Sequence, residues 1–299
     1  MALLGAVLDM IRHEYTKSEP VWKATPLLPT DLAFLENECS ASSEFDPFGW
    51  RKEMFHKYKK GKAVIDVRQC EYGCVIAIMD HNTHGITHSI PWGLWGRILR
   101  LYGQGKRAKI FFLVNPYLRT FPKETRSIDS STVMYGAIGP SNINGGYTYP
   151  CNKETIVIYR AEDATRVLIH ELQHASCLDH MENGTDLVEA ETEAWAELLY
   201  AGLLSQGKKV LFHELVKKQV DWMISQNVAV KRHMRHDRQF PWRYTVGKED
   251  VWRRWGLIKD DVRAAHTTHT THTHQHSLRL TPPPSEALKR VFGVDSNVL

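Results

Sequence analysis

The chain has 299 residues, 42% of them hydrophobic, which is enough for a sizeable core in one large domain or two small ones and too apolar for a disordered chain. Its 38 basic and 34 acidic residues leave a net charge of +4, too even to make nucleic acid or an anionic membrane an obligatory partner. No uninterrupted apolar run approaches the ~18 residues of a membrane-spanning helix.

The opening stretch MALLGAVLDMIRHEY lacks a basic leader and carries Asp9, so it reads as an N-terminal helix and not as a signal peptide. Residues 1–60 read as a helical, charged packing segment with Trp22, Phe34, Phe45, Phe48, Trp50 and Phe55 between Pro-containing turns. From 61 to 262 a single catalytic-type domain is expected. Its first half holds short β-rich runs at 63–67, 74–79, 109–114 and 133–138, read as the strands of one sheet. A further strand at 155–159 feeds a helix over 162–177, whose Ala164, Val167, Leu168, Leu172 and Ala175 make one apolar face. Glu162 and Asp163 suit its positive N-terminal end. A second helix is expected over 187–204, and others at 208–226 and 248–258. Residues 263–299 read as a His/Thr/Pro-rich low-complexity tail, expected to be disordered apart from a short helix at 285–291.

Five cysteines, Cys39, Cys70, Cys74, Cys151 and Cys177, make an odd count without a leader, which points to free thiols in a reducing, intracellular, non-secreted setting. Cys70 and Cys74 stand as CxxxC with no second pair and read as buried thiols, not as a zinc site.

The chemistry lies in HELQH. His170 and His174, four apart on a helix, put two imidazoles on one face where they can share a tetrahedral zinc. Glu171 between them faces a metal-bound water, as the general base of peptide hydrolysis requires. HExxH alone occurs by chance on polar helix faces, but here it lies in the apolar VLIHELQHA directly after a strand.

Three readings of the third ligand follow. HELQHASCLDH has the spacing of the metzincin pattern, which offers His180, yet Cys177 stands where that pattern turns on glycine, at a cost for a residue with a side chain. The second helix offers Glu189, Glu193 and Glu197 along one face, on a helix apolar enough to be buried, where carboxylates need a partner. Glu189 is the favoured ligand, with Glu193 behind it orienting a histidine through its other ring nitrogen. Glu193 on zinc with Glu197 behind it is the alternative.

The run NINGGYT, then IVIYRAEDATRVLIHELQHASCLD, then EAETEAWA resembles gluzincin-type metallopeptidases over about residues 142–200, and more narrowly metallopeptidase-like proteins encoded by large DNA viruses. That resemblance implies a zincin fold, His170 and His174 as ligands, Glu171 as base and a carboxylate of EAETEAWA as third ligand. It also implies that Cys177, Leu178 and Asp179 fill a GLD-like helix end and that His180 is not a ligand.

Residues 142–148 read as a turn or a substrate-side loop. His213, Tyr244 and Tyr200 are candidates for an oxyanion-stabilising group with nothing in spacing to select among them. His81, His84 and His88 read as surface histidines, and KRHMRHDRQFPWRY as a solvated helix end.

The expectation is therefore an α+β zincin-like core, its mixed β-sheet packed on the HExxH helix and a second glutamate-bearing helix. It would hydrolyse a peptide or isopeptide bond in a protein or peptide substrate, with one Zn²⁺ per chain, no obligatory nucleic acid and no membrane. The rival reading keeps the fold without the catalysis: a viral structural or host-interaction protein whose zinc is closed by four protein ligands.

Overall fold

The computed structural model describes residues 2–80, 90–103, 107–126, 133–259, 277–294 and 298–299. In chain order the elements are α1 (Ala2–Thr16), β1 (Lys23–Ala24), α2 (Pro29–Ser40), α3 (Trp50–Lys59), β2 (Ala63–Gln69), β3 (Gly73–Asp80), α4 (Trp92–Leu101), β4 (Ala108–Leu113), β5 (Thr125–Arg126), β6 (Val133–Met134) and α5 (Pro140–Ile143). There follow β7 (Gly146–Tyr147), β8 (Ile156–Ile158), α6 (Ala164–Ala175), α7 (Thr185–Ser205), α8 (Lys209–Arg232), α9 (Phe240–Tyr244), α10 (Val246–Arg254) and α11 (Glu286–Phe292).

Six strands form one mixed sheet in the order β1-β2-β3-β4-β8-β7. β3, β4 and β8 run parallel at its centre, and the outer pairs are antiparallel. The central strands read VIAIM, IFFL and IVI without polar alternation because both faces of the sheet are covered. Side chains still alternate. Val75, Ala77, Ile110, Phe112, Ile156 and Ile158 face the large core shared with α1, α4 and the helices from α6 onward. Ile76, Ile78, Phe111, Leu113 and Val157 face a smaller core closed by Leu35 and Cys39 of α2 and by Met54 and Phe55 of α3. The first sixty residues thus cover both faces of the sheet, with Val7, Leu8 and Ile11 in the large core.

Three expectations are corrected here. The run 133–138 does not join the main sheet; Val133–Met134 pairs with Thr125–Arg126 in a separate ribbon. The cysteines are not all free. Cys151 and Cys177 form a disulfide, Cα atoms 4.7 Å apart, while Cys39, Cys70 and Cys74 remain thiols.

The third correction concerns the tail. Leu278, Leu280, Val298 and Leu299 are fully or almost fully buried in the large core, and α11 stands where a short helix was expected. The low-complexity composition hid these apolar residues beyond the histidine run. That run itself lies outside the described residues, as do His81, His84 and His88. No helix among the described residues is long and apolar enough to cross a membrane.

Candidate metal centre

α6 carries ATRVLIHELQHA, and every residue of it except His174 is buried, so its polar side chains must find partners inside the protein. Its N-terminus is not capped by its own acidic residues. Asp163 adopts a left-handed φ of 59° and turns its carboxylate to Arg279, at 2.6 Å, and to the Thr281 hydroxyl, at 2.9 Å. The Thr165 N–H instead donates to the carbonyl of Val298, at 2.8 Å, so the end of the chain satisfies an otherwise orphaned helix donor.

The C-terminal end of α6 is a Schellman turn: Leu178 N–H donates to Gln173 O and Cys177 N–H to His174 O, each at 3.2 Å. Cys177, at φ 56°, takes the left-handed position usually given to glycine. Its disulfide partner Cys151 also donates its N–H to His174 O, at 2.9 Å.

These constraints bring His170, His174 and Glu189 together, their nearest donor atoms all within 4.8 Å of one another. The two Nε2 atoms are 3.0 Å apart, and Glu189 Oε2 lies 3.4 Å from that of His170 and 3.8 Å from that of His174. Ligands on a tetrahedral zinc, at ~2.0–2.1 Å each, stand ~3.3 Å from one another, which these separations bracket. This His-His-Glu group can hold a metal ion.

Behind each histidine stands a carboxylate. Glu193 Oε1 lies 3.0 Å from His170 Nδ1 and Asp179 Oδ2 lies 2.8 Å from His174 Nδ1, so both rings present Nε2 to the same point. Burial opposes the charge on Glu193, but Arg166, His170 and Lys248 outweigh it and hold the carboxyl at about 2. Burial likewise opposes the Asp179 charge, and the bond to His174 outweighs it. Glu197 sits deeper, with Lys248 Nζ at 2.8 Å and Arg166 Nε at 3.6 Å. His180 is 71% exposed, paired with Glu182 on the surface, and is not among the converging residues.

Glu171 is buried beside the histidines, and burial raises its carboxyl to about 7 against the lowering pull of His170 and His174. It faces a cleft of about 430 Å³ between β7, α6, α7 and α9. Gly145 accepts from the Tyr159 N–H at 2.8 Å, and Gly146 pairs with Ile158 in the next register position. The alternation of an antiparallel ladder therefore turns the Gly146 N–H and C=O away from β8, along the outer edge of β7, which has no further strand beside it among the described residues and lines the cleft. Glycine is required here, since a Cβ at 146 would lie 2.7 Å from Val167 Cγ1, 2.9 Å from Val157 O and 3.4 Å from Glu171 Oε1. The NINGGYT run is this wall.

The opposite wall comes from a segment read in sequence as a solvated helix end. Phe240, Arg243 and Tyr244 line the cleft, and burial with Glu189, Glu193 and Glu171 nearby raises the Tyr244 phenol well above its ordinary value. Tyr200, on α7, is buried and does not line the cleft; neither does His213. Asp179 is the site residue whose role sequence reasoning missed. The available signal was its place in CLD, immediately after the helix end.

Comparison with protein-family models, curated proteins and solved structures gives no significant match.

Proposed function

We propose that this chain is a zinc-dependent metallopeptidase with a zincin-like core. It hydrolyses a peptide or isopeptide bond, with one zinc per chain on His170, His174 and Glu189. The observation that carries this reading is the buried Glu171 carboxylate beside three convergent donor atoms, at the floor of a cleft walled by a free strand edge. A bound zinc ion would lower the pKa of its water and polarise the scissile carbonyl.

The residues of the chain supply the rest. The Gly146 N–H and C=O can pair with the backbone of an extended substrate and hold its scissile bond over Glu171. Glu171 takes the proton of the attacking water and returns it to the leaving amine, a role suited to a carboxyl raised toward neutrality. The Tyr244 phenol, protonated at all working pH values, is the donor on the α9 wall for the developing oxyanion.

The rival, a structural zinc closed by four protein ligands, has less support. Only three donors converge among the described residues, and His180, the candidate fourth, lies on the surface.

The test is elemental analysis of purified protein together with cleavage of a mixed peptide library. One zinc per chain, lost in His174→Ala, and cleavage lost in Glu171→Gln are expected. Folded protein without zinc would sink the reading, and zinc without cleavage of any peptide would return the structural-zinc alternative.

A further inference from the structure

Arg119 and Arg160 hold the end of α5 ahead of β7 by its carbonyls, through Ile143 O at 2.6 Å and Asn144 O at 3.0 Å, but they serve the cleft already described. A different feature has no part in that chemistry. The β7–β8 loop, which lines the cleft with Thr148 and Pro150, is tied covalently to the end of α6 by Cys151–Cys177. Both bridged residues are exposed, and both hold left-handed backbone angles, φ 61° and 56°. Cys151 N–H and Cys177 N–H converge on the carbonyl of His174. Two residues beyond Cys177, Asp179 takes His174 Nδ1 at 2.8 Å and reaches the Thr192 hydroxyl at 3.4 Å.

We propose that Cys151 and Cys177 are positioning residues whose disulfide sets the affinity of the centre for its metal, and that its reduction by a dithiol loosens the metal. The inference rests on the metal-centre reading above. The bridge fixes the left-handed turn at Cys177; the turn fixes where Asp179 emerges; Asp179 fixes the rotation of the His174 ring. Reduction transfers two electrons and two protons from the dithiol to the bridge. The S–S bond breaks, two thiols form, and the dithiol leaves as its own cyclic disulfide. A cysteine without its partner holds a left-handed angle only at a cost, so the freed turn relaxes toward ordinary conformations and Asp179 leaves the ring. Exposure gives the reductant access, and the three buried or half-buried thiols are not involved.

The experiment is zinc affinity of the full chain, by competition with a chromophoric chelator, oxidised and after a non-chelating phosphine reductant. The oxidised protein should bind about 10–100-fold more tightly than the reduced one, the range expected for loss of an outer carboxylate. Cys151→Ser should match the reduced wild type and not respond to reductant. Asp179→Asn should bind weakly in both states, with the effect of reduction largely abolished, because the two changes act on one contact. Cys177→Gly, which removes the bridge but accepts the left-handed turn, should retain tighter binding than Cys151→Ser. Equal affinity of oxidised and reduced wild type overturns the inference and leaves the metal centre standing. A full effect of reduction in Asp179→Asn overturns the route through Asp179. No zinc binding by the oxidised protein overturns both the inference and the proposed function.

Discussion

Glu193 stands between a guanidinium and an imidazole: its two oxygens take the Arg166 nitrogens at 2.7 and 3.1 Å, and Oε1 also lies 3.0 Å from His170 Nδ1. All three groups are buried, so the carboxylate fixes the metal-facing edge of His170 and at the same time offsets a buried cation. Glu193→Gln should therefore weaken zinc binding about 10–100-fold and also lower the thermal midpoint of the metal-free protein. Unchanged zinc affinity in a folded variant would remove Glu193 from the site.

Glu189 and His180 distinguish a site closed by a carboxylate from one closed by a third histidine. Glu189→Ala removes the convergent oxygen and should reduce zinc binding below about one ion per ten chains under dialysis that leaves the wild type full. His180→Ala, at an exposed surface position, should leave stoichiometry and affinity as they were. Reversal of the two results would install His180 as ligand.

Glu171 gives a pH signature in the metal-free protein. Its carboxyl titrates at about 7 when folded against an ordinary 4.5, so between those values the folded chain binds more protons than the unfolded one. Its contribution to stability is therefore present below pH 4.5 and is lost as pH rises through 7. Glu171→Gln removes this loss. The variant should melt several degrees above wild type at pH 8 and level with it at pH 4, while hydrolysis disappears and zinc stays bound. Equal melting at both pH values would mean that Glu171 is not buried as a carboxyl.

Metal uptake should release protons. Burial alone would lower His170, but Glu193, Glu189 and Glu171 raise it to about 10, so the metal-free ring is protonated at pH 7.5 and must give up that proton to a metal. Calorimetric titration of zinc in buffers of different ionisation enthalpy should count about one proton released per zinc at pH 7.5, diminishing toward pH 10. Affinity rises over the same interval. A count of zero at pH 7.5 would show that His170 is neutral before the metal arrives.

The tail divides into two parts with opposite predicted effects. Leu280 N and Thr281 hold Asp163, Leu280 O accepts from Lys248, and Val298 O caps α6. Truncation after residue 264 should therefore destabilise the chain and empty the site, whereas replacing the five histidines of 266–276 with serine should leave one tightly bound zinc per chain. Retention of zinc by the truncated chain would show that these contacts do not support the centre.

The parts of the site legible in the sequence are those set by helical spacing. His170 with His174, and Glu189 with Glu193, follow from i, i+4 geometry, and the buried character of α7 announced that its glutamates needed partners. The central strands were legible for the same reason, as unbroken apolar runs. What could not be read depends on contacts between distant segments. The Cys151–Cys177 bridge joins residues 26 apart in a chain with an odd cysteine count, which favours thiols on arithmetic alone. Asp179 reaches His174 because the chain reverses at a left-handed cysteine, a conformation no propensity assigns to that residue. The α9 wall carries Arg243 and Tyr244 into the cleft from a stretch whose basic composition resembles a solvated surface.

The Val298 carbonyl on the Thr165 N–H has a consequence for the order of events in the cell. During vectorial synthesis the helix bearing HELQH emerges more than a hundred residues before its own cap. The sheet, α7 and the paired carboxylates can all assemble while the N-terminal end of that helix is still unfinished. Completion of the centre then waits on the arrival of Val298, long after the helix itself has been made. A metal centre built this way becomes competent only after its sheet and both of its helices have already folded around it.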